Sequence, residues 1–225
     1  MASSILFFGK KGDHYCTLAA DFIRQHFCET QIHMGEKGMP FPEDAFEWQG
    51  NYIISYLSPW IIHEKILNRA DSASINFHPG NTYYPGIGCT NFAIYDQSDV
   101  FGVTCHHMAP KVDTGPVIVE KNFRVFPDDT VFSLTQRCYA HIFSLFFDII
   151  SDILMGRELP RSEAEWKRQP YTRKELNDLC RLTLSMSAEE MERRIRAVTF
   201  PGAPGAYLLL NGRRYELRLE GDNNE

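Results

Sequence analysis

The stretch from Val131 to Ile153 constrains the fold more than any other part of the sequence. On a helix, Val131, Leu134, Cys138, Ile142, Leu145, Ile149 and Ile153 fall in one apolar stripe, and Phe132, Tyr139, Phe143, Phe146 and Ile150 form a second beside it. Asp129 or Thr130 is placed to cap this helix and Gly156 to stop it. An apolar face this wide has to be covered on more than one side. The helix must therefore lie between a sheet and a second layer, which either the C-terminal segment or a partner subunit supplies. With 225 residues, 44% of them apolar, the chain is long enough to bury such a core.

Short apolar runs at 5–8, 31–34, 52–57, 74–78, 101–106 and 117–126 read as strands. Between them, helical spacing appears at Leu18, Phe22, Ile23 and Phe27, and again over 60–68 and 91–95. Strands alternating with helices predict an α/β fold, a Rossmann-like, doubly wound and mostly parallel sheet. From Arg157 the composition turns polar, so a main domain over 1–156 and an appendage over 157–225 are expected. Within the appendage, Ser187 and Glu190 form a capping-box pattern that opens a helix over 188–198. Apolar runs at 206–210 and 214–219 flank Asn211-Gly212, a type I′ hairpin signal.

The net charge of −6 argues against a broad basic surface for nucleic acid. The six cysteines are scattered without a CxxC pair and read as reduced core residues. MASS runs directly into ILFF, too short for a signal-peptide core, and no stretch reaches membrane-spanning length without charges. A cytoplasmic protein without a membrane partner is expected.

Two segments carry chemistry. In SINFHPG, Asn76 and His78 stand two apart at the end of a strand, so both side chains leave the same face, beside the crevice that forms at carboxyl ends of strands. Taken alone, the pair fits bonding to loop backbone equally well. In GVTCHHMAPKVDTGPVIV, Asp113 precedes Thr-Gly-Pro between two apolar strands. Together the three supply an amide for an oxyanion and a carboxylate to orient an imidazole. A rival reading makes His78, His106, His107 and Asp113 metal ligands. Adjacent His106 and His107 point to opposite faces of a strand and no HxH or HxxxH spacing accompanies them, so no metal is expected.

INFHPG, the PG-containing loop after it, NFAIY, GVTCHHM and DTGPVI together resemble the folate-dependent formyltransferases, strongly over 52–126 and more loosely in the opening strand and long helix. That family includes glycinamide ribonucleotide transformylase, methionyl-tRNA formyltransferase and the nucleotide-sugar N-formyltransferases. The resemblance implies 10-formyltetrahydrofolate as co-substrate and Asn76, His78 and Asp113 as the catalytic set. It also implies that YLSPWIIHEKIL forms the pterin loop, with Trp60 and Ile62 in the slot and the backbone from Ala109 to Val112 as the opposite wall.

FFGKKGDHYC, YLSPWII, YYPGIGCTNFAIY and FPGAPGAYLLLNGRRYEL resemble the nucleotide-sugar branch, and the tRNA-binding domain of the methionyl-tRNA enzymes has no room here. A substrate such as dTDP-4-amino-4,6-dideoxyglucose, destined for O-antigen or a related glycan, is then expected. Lys10 and Lys11 would meet its phosphates, and Tyr83, Tyr84 and Gly88 would border its sugar. Residues 200–207 would form a base pocket or a dimer contact, and apolar residues exposed on the hairpin would favour a homodimer. A glycinamide ribonucleotide transformylase or a formyl-folate hydrolase would share the catalytic residues and differ in the acceptor pocket.

Overall fold

A computed structural model describes residues 3–219. Met1 and Ala2 of the MASS opening and residues 220–225 of the expected appendage lie outside them. Six strands form one sheet in the order β2-β1-β3-β4-β5-β6. They are β1 (Ser4–Lys10), β2 (Glu29–Gly35), β3 (Gly50–Tyr56), β4 (Ala70–His78), β5 (Val100–His107) and β6 (Val117–Arg124). The first four run parallel, and β5 is antiparallel to both of its neighbours. The expected mostly parallel α/β sheet is thus observed. A parallel strand is covered on both faces and must be apolar throughout; β1 is buried from Ser4 to Gly9.

The chain leaves β1 through α1 (His14–His26) to β2 and then returns to the other side of β1 as β3. Strand order therefore reverses between β1 and β3, and a crevice opens beyond their carboxyl ends at Lys10 and Leu57. The reversal is what places a ligand site at this edge of the sheet.

One face of the sheet carries α1, α3 (Cys89–Tyr95) and α4 (Val131–Leu154). Thr130 caps α4 in a reciprocal exchange with Ser133, and Gly156 ends the helical run in the left-handed conformation. Every residue of the first apolar stripe of α4 is buried. In the second stripe Phe146 and Ile150 are buried, whereas Phe132 is exposed and meets Phe200 at its edge. The helix packs on β4 and β5 with α1, α3 and α6 (Ala188–Val198) around it, so the C-terminal segment does supply part of the second layer.

The other face is covered thinly, by a 3-10 turn at Glu43–Phe46 and by α2 (Glu64–Leu67) over Leu6, Phe8 and Ile53. The helix expected over 60–68 is thus reduced to α2. Leu57 adopts a left-handed backbone, the Ser58 hydroxyl accepts the Trp60 N–H, and the Trp60 indole N–H donates to the Met39 carbonyl. These bonds hold residues 57–63 as an irregular loop.

Beyond α4 the chain crosses the molecule as a strap over 161–172 and then forms α5 (Arg173–Cys180), an element the sequence reading did not anticipate, opened by a Thr172–Glu175 capping box. Ser187 caps α6 by accepting the Glu190 N–H, but the Glu190 carboxylate turns to Arg193, Arg194 and Tyr95, so only half of that capping box forms. The hairpin of β7 (Ala206–Leu210) and β8 (Arg213–Leu217) turns on Asn211 and Gly212 at φ 50° and 76°, the left-handed pair of a type I′ turn. Leu179, Leu182, Ile195 and Ala206 belong to the same buried cluster as β1 and α4.

Candidate active site

Alternation along β4 sends Ile75 and Phe77 into the core and leaves Asn76 and His78 on the opposite face at the carboxyl end of the strand. The antiparallel register with β5 sets Asn76 directly across from His106. Asp113 enters from the loop between β5 and β6 with a left-handed backbone, φ 47°. His78 Nδ1 lies 3.2 Å from one Asp113 oxygen, and His106 Nε2 lies 3.2 Å from the other. The Asn76 amide nitrogen is 3.1 Å from His106 Nε2 and 3.5 Å from Asp113 Oδ1. The Gly86 N–H donates to Asp113 Oδ2 at 2.7 Å. His78, His106 and Asp113 are all buried. The structure thus brings together the three expected residues and adds His106.

Burial would by itself push the Asp113 carboxyl up, but the imidazoles of His78 and His106 and the Gly86 N–H outweigh it and bring the pKa to about 2. A carboxylate is therefore present in the middle of the cluster. Burial pulls His78 below the usual imidazole range, opposed by the Asp113 charge and the Tyr84 carbonyl, which sits 2.9 Å from His78 Nε2. Both ring nitrogens of His78 thus face oxygen acceptors, and a neutral imidazole has only one N–H to offer. Taking up a proton completes the second contact, so His78 is suited to receive one. His106 Nδ1 lies 2.8 Å from the His107 carbonyl, and its Nε2 stands between the Asn76 amide nitrogen at 3.1 Å and Asp113 Oδ1 at 3.2 Å. A methyl group at Gly80 would lie 2.7 Å from both His78 Nε2 and the Tyr84 carbonyl, which is why glycine ends the INFHPG segment.

Two cavities adjoin this cluster. The first, about 400 Å³, has Asn76, His78, His106 and Asp113 on its floor and Trp60, Ile62, Ala109 and Val112 on its walls, so the expected slot residues do assemble. The second, about 880 Å³, shares Leu57, Pro79, Gly86, Ile87 and Tyr139 with the first and includes Gly88. Lys37, Arg173 and Arg214 give it cations, and Phe200 and Tyr207 give it apolar surface.

Four expected positions need correction. Lys10 lines the first cavity rather than the second, with its ammonium over the Tyr139 ring. Lys11 lines neither, being 59% exposed and paired with Glu36. Tyr83 is exposed and lines neither. The Tyr84 ring is buried against Phe101 and Tyr171, and only its carbonyl reaches the site. Arg173 and Arg214 were missed because they belong to α5 and β8, which come near the site only through the tertiary fold. His107 faces away, beside Tyr52 and Arg157. Among the described residues no group of three or more His, Cys, Asp or Glu is arranged to hold a metal ion, and no helix is long and apolar enough to cross a membrane.

At the carboxyl end of β4, then, Asn76 stands beside the buried His78 and Asp113, and the cluster opens to an apolar slot, an arrangement suited to group transfer. Residues 49–147 match the family model described as formyl transferase, and the chain carries that domain, which includes Asn76, His78 and Asp113. Over 178 residues the chain is 27% identical to the GDP-perosamine N-formyltransferase of Brucella melitensis, covering 77% of this chain and 68% of that one. Over 157 residues it is 26% identical to the methionyl-tRNA formyltransferase of Lactobacillus acidophilus, covering 68% of this chain but only 48% of that relative. Among solved structures, a 4-N formyltransferase from Francisella tularensis superposes with a TM-score of 0.77 at 19% identity, covering 96% of this chain and 97% of that one. The N-formyltransferase of Helicobacter canadensis in complex with folinic acid and dTDP-3-aminofucose gives a TM-score of 0.72 at 18% identity, covering 94% and 85%. These two likenesses establish the fold.

Proposed function

We propose that this chain transfers a formyl group from 10-formyltetrahydrofolate to the amine of a nucleotide-linked amino sugar, with Asn76, His78 and Asp113 as the catalytic residues. The observation that carries this reading is the pair of adjoining cavities, one apolar and beside the buried cluster, the other lined by Lys37, Arg173 and Arg214. An apolar slot with backbone polar groups suits a pterin. Cations in the larger cavity suit a diphosphate. Where the two meet, an uncharged amine attacks the formyl carbon, a tetrahedral intermediate forms, and its oxygen becomes negative. Asn76 offers an N–H to that oxygen, and His78, oriented by the Asp113 carboxylate, takes up the proton the amine loses; collapse of the intermediate then breaks the bond between the formyl carbon and N10 of the folate, which takes that proton and leaves as tetrahydrofolate.

Relatives named for GDP-perosamine and for a dTDP-3-aminofucose complex support a nucleotide-sugar acceptor. Within that class dTDP-4-amino-4,6-dideoxyglucose is our first candidate, its product serving O-antigen or a related glycan. The exposed Leu209, Leu210 and Tyr215 of the hairpin support a homodimer, and the free cysteines suit a reducing cytoplasm.

The test is mass spectrometry of purified protein with 10-formyltetrahydrofolate and a panel of dTDP- and GDP-linked 3-amino and 4-amino sugars plus glycinamide ribonucleotide. One nucleotide sugar gaining a formyl mass is the expected result. Formylation of glycinamide ribonucleotide alone, or formate without any acceptor product, would replace the reading with a transformylase or a hydrolase.

A further inference from the structure

We propose that Trp166 is a positioning residue of this site: its indole closes the side of the His78–Asp113–His106 cluster away from the cavities, and the strap that carries it clamps the loop holding Asp113. The inference rests on the formyl-transfer reading given above. Trp166 lines neither cavity. It stands perpendicular to both imidazoles, with ring centroids 5.7 Å from His78 at 79° and 5.1 Å from His106 at 88°. Its indole N–H donates to the Gly115 carbonyl at 2.8 Å, two residues beyond Asp113, which fixes the ring on the loop that supplies the carboxylate.

The rest of the strap holds the loop that follows β4. The Lys167 N–H donates to the Thr82 carbonyl at 2.9 Å, the Tyr171 N–H to the Pro85 carbonyl at 2.8 Å, and the Ile87 N–H to the Tyr171 carbonyl at 3.2 Å. Gly86, whose N–H holds Asp113, is thus bracketed on both sides by bonds to Tyr171. The Tyr171 ring in turn stacks on Phe92 with centroids 3.6 Å apart.

Around His78 the titratable groups are Asp113 from the β5–β6 loop, His106 from β5 and the Cys89 thiol from α3, 3.6 Å from Nε2. From the strap, Trp166 contributes an uncharged ring, and Arg168 turns instead onto Tyr171 and Glu175. The indole therefore acts by excluding water and fixing ring orientation. Inside a dry pocket the carboxylate holds the imidazoles more strongly than it would with water behind them, and the formyl donor is shielded from hydrolysis.

The test combines imidazole NMR titration of the substrate-free full chain with kinetics for Trp166→Ala and Trp166→Phe. In Trp166→Ala, His78 is expected to titrate at higher pH than in the wild type, because water admitted behind the ring relieves the burial that depresses it, and this outweighs the weakened hold of Asp113. The value of kcat should fall about 10- to 100-fold, as misplacement of reacting groups does, with acceptor KM little changed and formate release without acceptor increased. Trp166→Phe should recover most of kcat. Should Trp166→Ala fail to fold, Trp166→Leu carries the same comparison, since it keeps apolar volume without the ring or the Gly115 bond. An unmoved His78 titration, or a kcat equal to wild type, overturns the proposal. A wild-type chain that transfers no formyl group sinks the functional reading alone, because the NMR arm still decides what Trp166 does to the imidazoles.

Discussion

Asp113 stays ionised where burial favours the neutral acid, because two imidazoles and a backbone N–H converge on it. Its pKa of about 2 in the fold lies below the ordinary value of 3.8. The folded state therefore gains stability that is fully present above the ordinary value and is lost as pH falls through about 2, a contribution on the order of 2 kcal/mol. Denaturant titrations of the wild type and Asp113→Asn between about pH 2 and 5 should differ in slope, the variant lacking this acid-range loss. His78 has a depressed pKa of its own. The unfolded chain then takes a proton first, and stability falls as pH drops below the ordinary imidazole value of 6.5. His78→Gln should remove that component from a plot of Tm against pH; an unchanged plot would show that His78 titrates alike in the folded and unfolded chain. In catalysis, Asn76→Ala in a folded protein should lower kcat by about 100- to 1,000-fold, as loss of an oxyanion donor does. At this scale the sequence was informative where chemistry is local: Asn76, His78 and Asp113 stand in recognisable segments. His106 was weighed only as a metal ligand and not as a partner of Asn76, because the two meet across an antiparallel pair whose register no single strand reveals.

The loop that follows β4 depends on an element without regular secondary structure. Gly86 is left-handed at φ 88°, and a Cβ there would stand 2.3 Å from the Tyr171 carbonyl oxygen. Gly86→Ala should therefore part the strap from the loop and cost about 1–3 kcal/mol, read as a lower urea midpoint. Activity should fall further than stability, because the same N–H holds Asp113; a stable variant with normal kcat would show that the clamp is dispensable. The strap has no periodicity, and the bonds that anchor it, from Trp166 to Gly115, Lys167 to Thr82 and Tyr171 to Pro85, reach residues far away in the chain, so nothing local in the sequence announces it. In contrast, α4 and the strands of the sheet were legible, because their periods are local and their apolar faces are continuous. The helix expected over 60–68 fits the spacing of Trp60, Ile61 and Ile62 equally well, yet Trp60 bonds to Met39 and Ile61 sits exposed at the rim of the slot. As for α5, only Leu179 is buried along it, so it offered no apolar stripe to read.

At the scale of the whole molecule, the two cavities are completed by different parts of the chain. The slot is lined mainly by β3, β4, β5 and the loops after them, with Lys10 of β1 and Tyr139 of α4, whereas Arg173 and Arg214 come from α5 and β8. Acceptor and donor affinity should therefore separate by mutation. The Arg214 guanidinium lies 4.0 Å from the Tyr207 ring centroid, stacked and exposed at the cavity edge, so water screens it and its attraction for a phosphate is of the kind that salt weakens. Arg214→Ala should raise the KM for the nucleotide sugar about tenfold, the effect of roughly 1.4 kcal/mol of lost binding, while kcat and the KM for 10-formyltetrahydrofolate stay near wild type. Arg214→Lys should restore only part of it, since a point charge neither stacks on Tyr207 nor grips a phosphate with two parallel donors. Trp60→Ala should do the reverse, raising the folate KM and sparing the acceptor. Raising ionic strength should weaken acceptor binding in the wild type and do so less in Arg214→Ala. If both substitutions move the two KM values together, the cavities are not separate binding sites, and the C-terminal segment supports the fold without reading the acceptor.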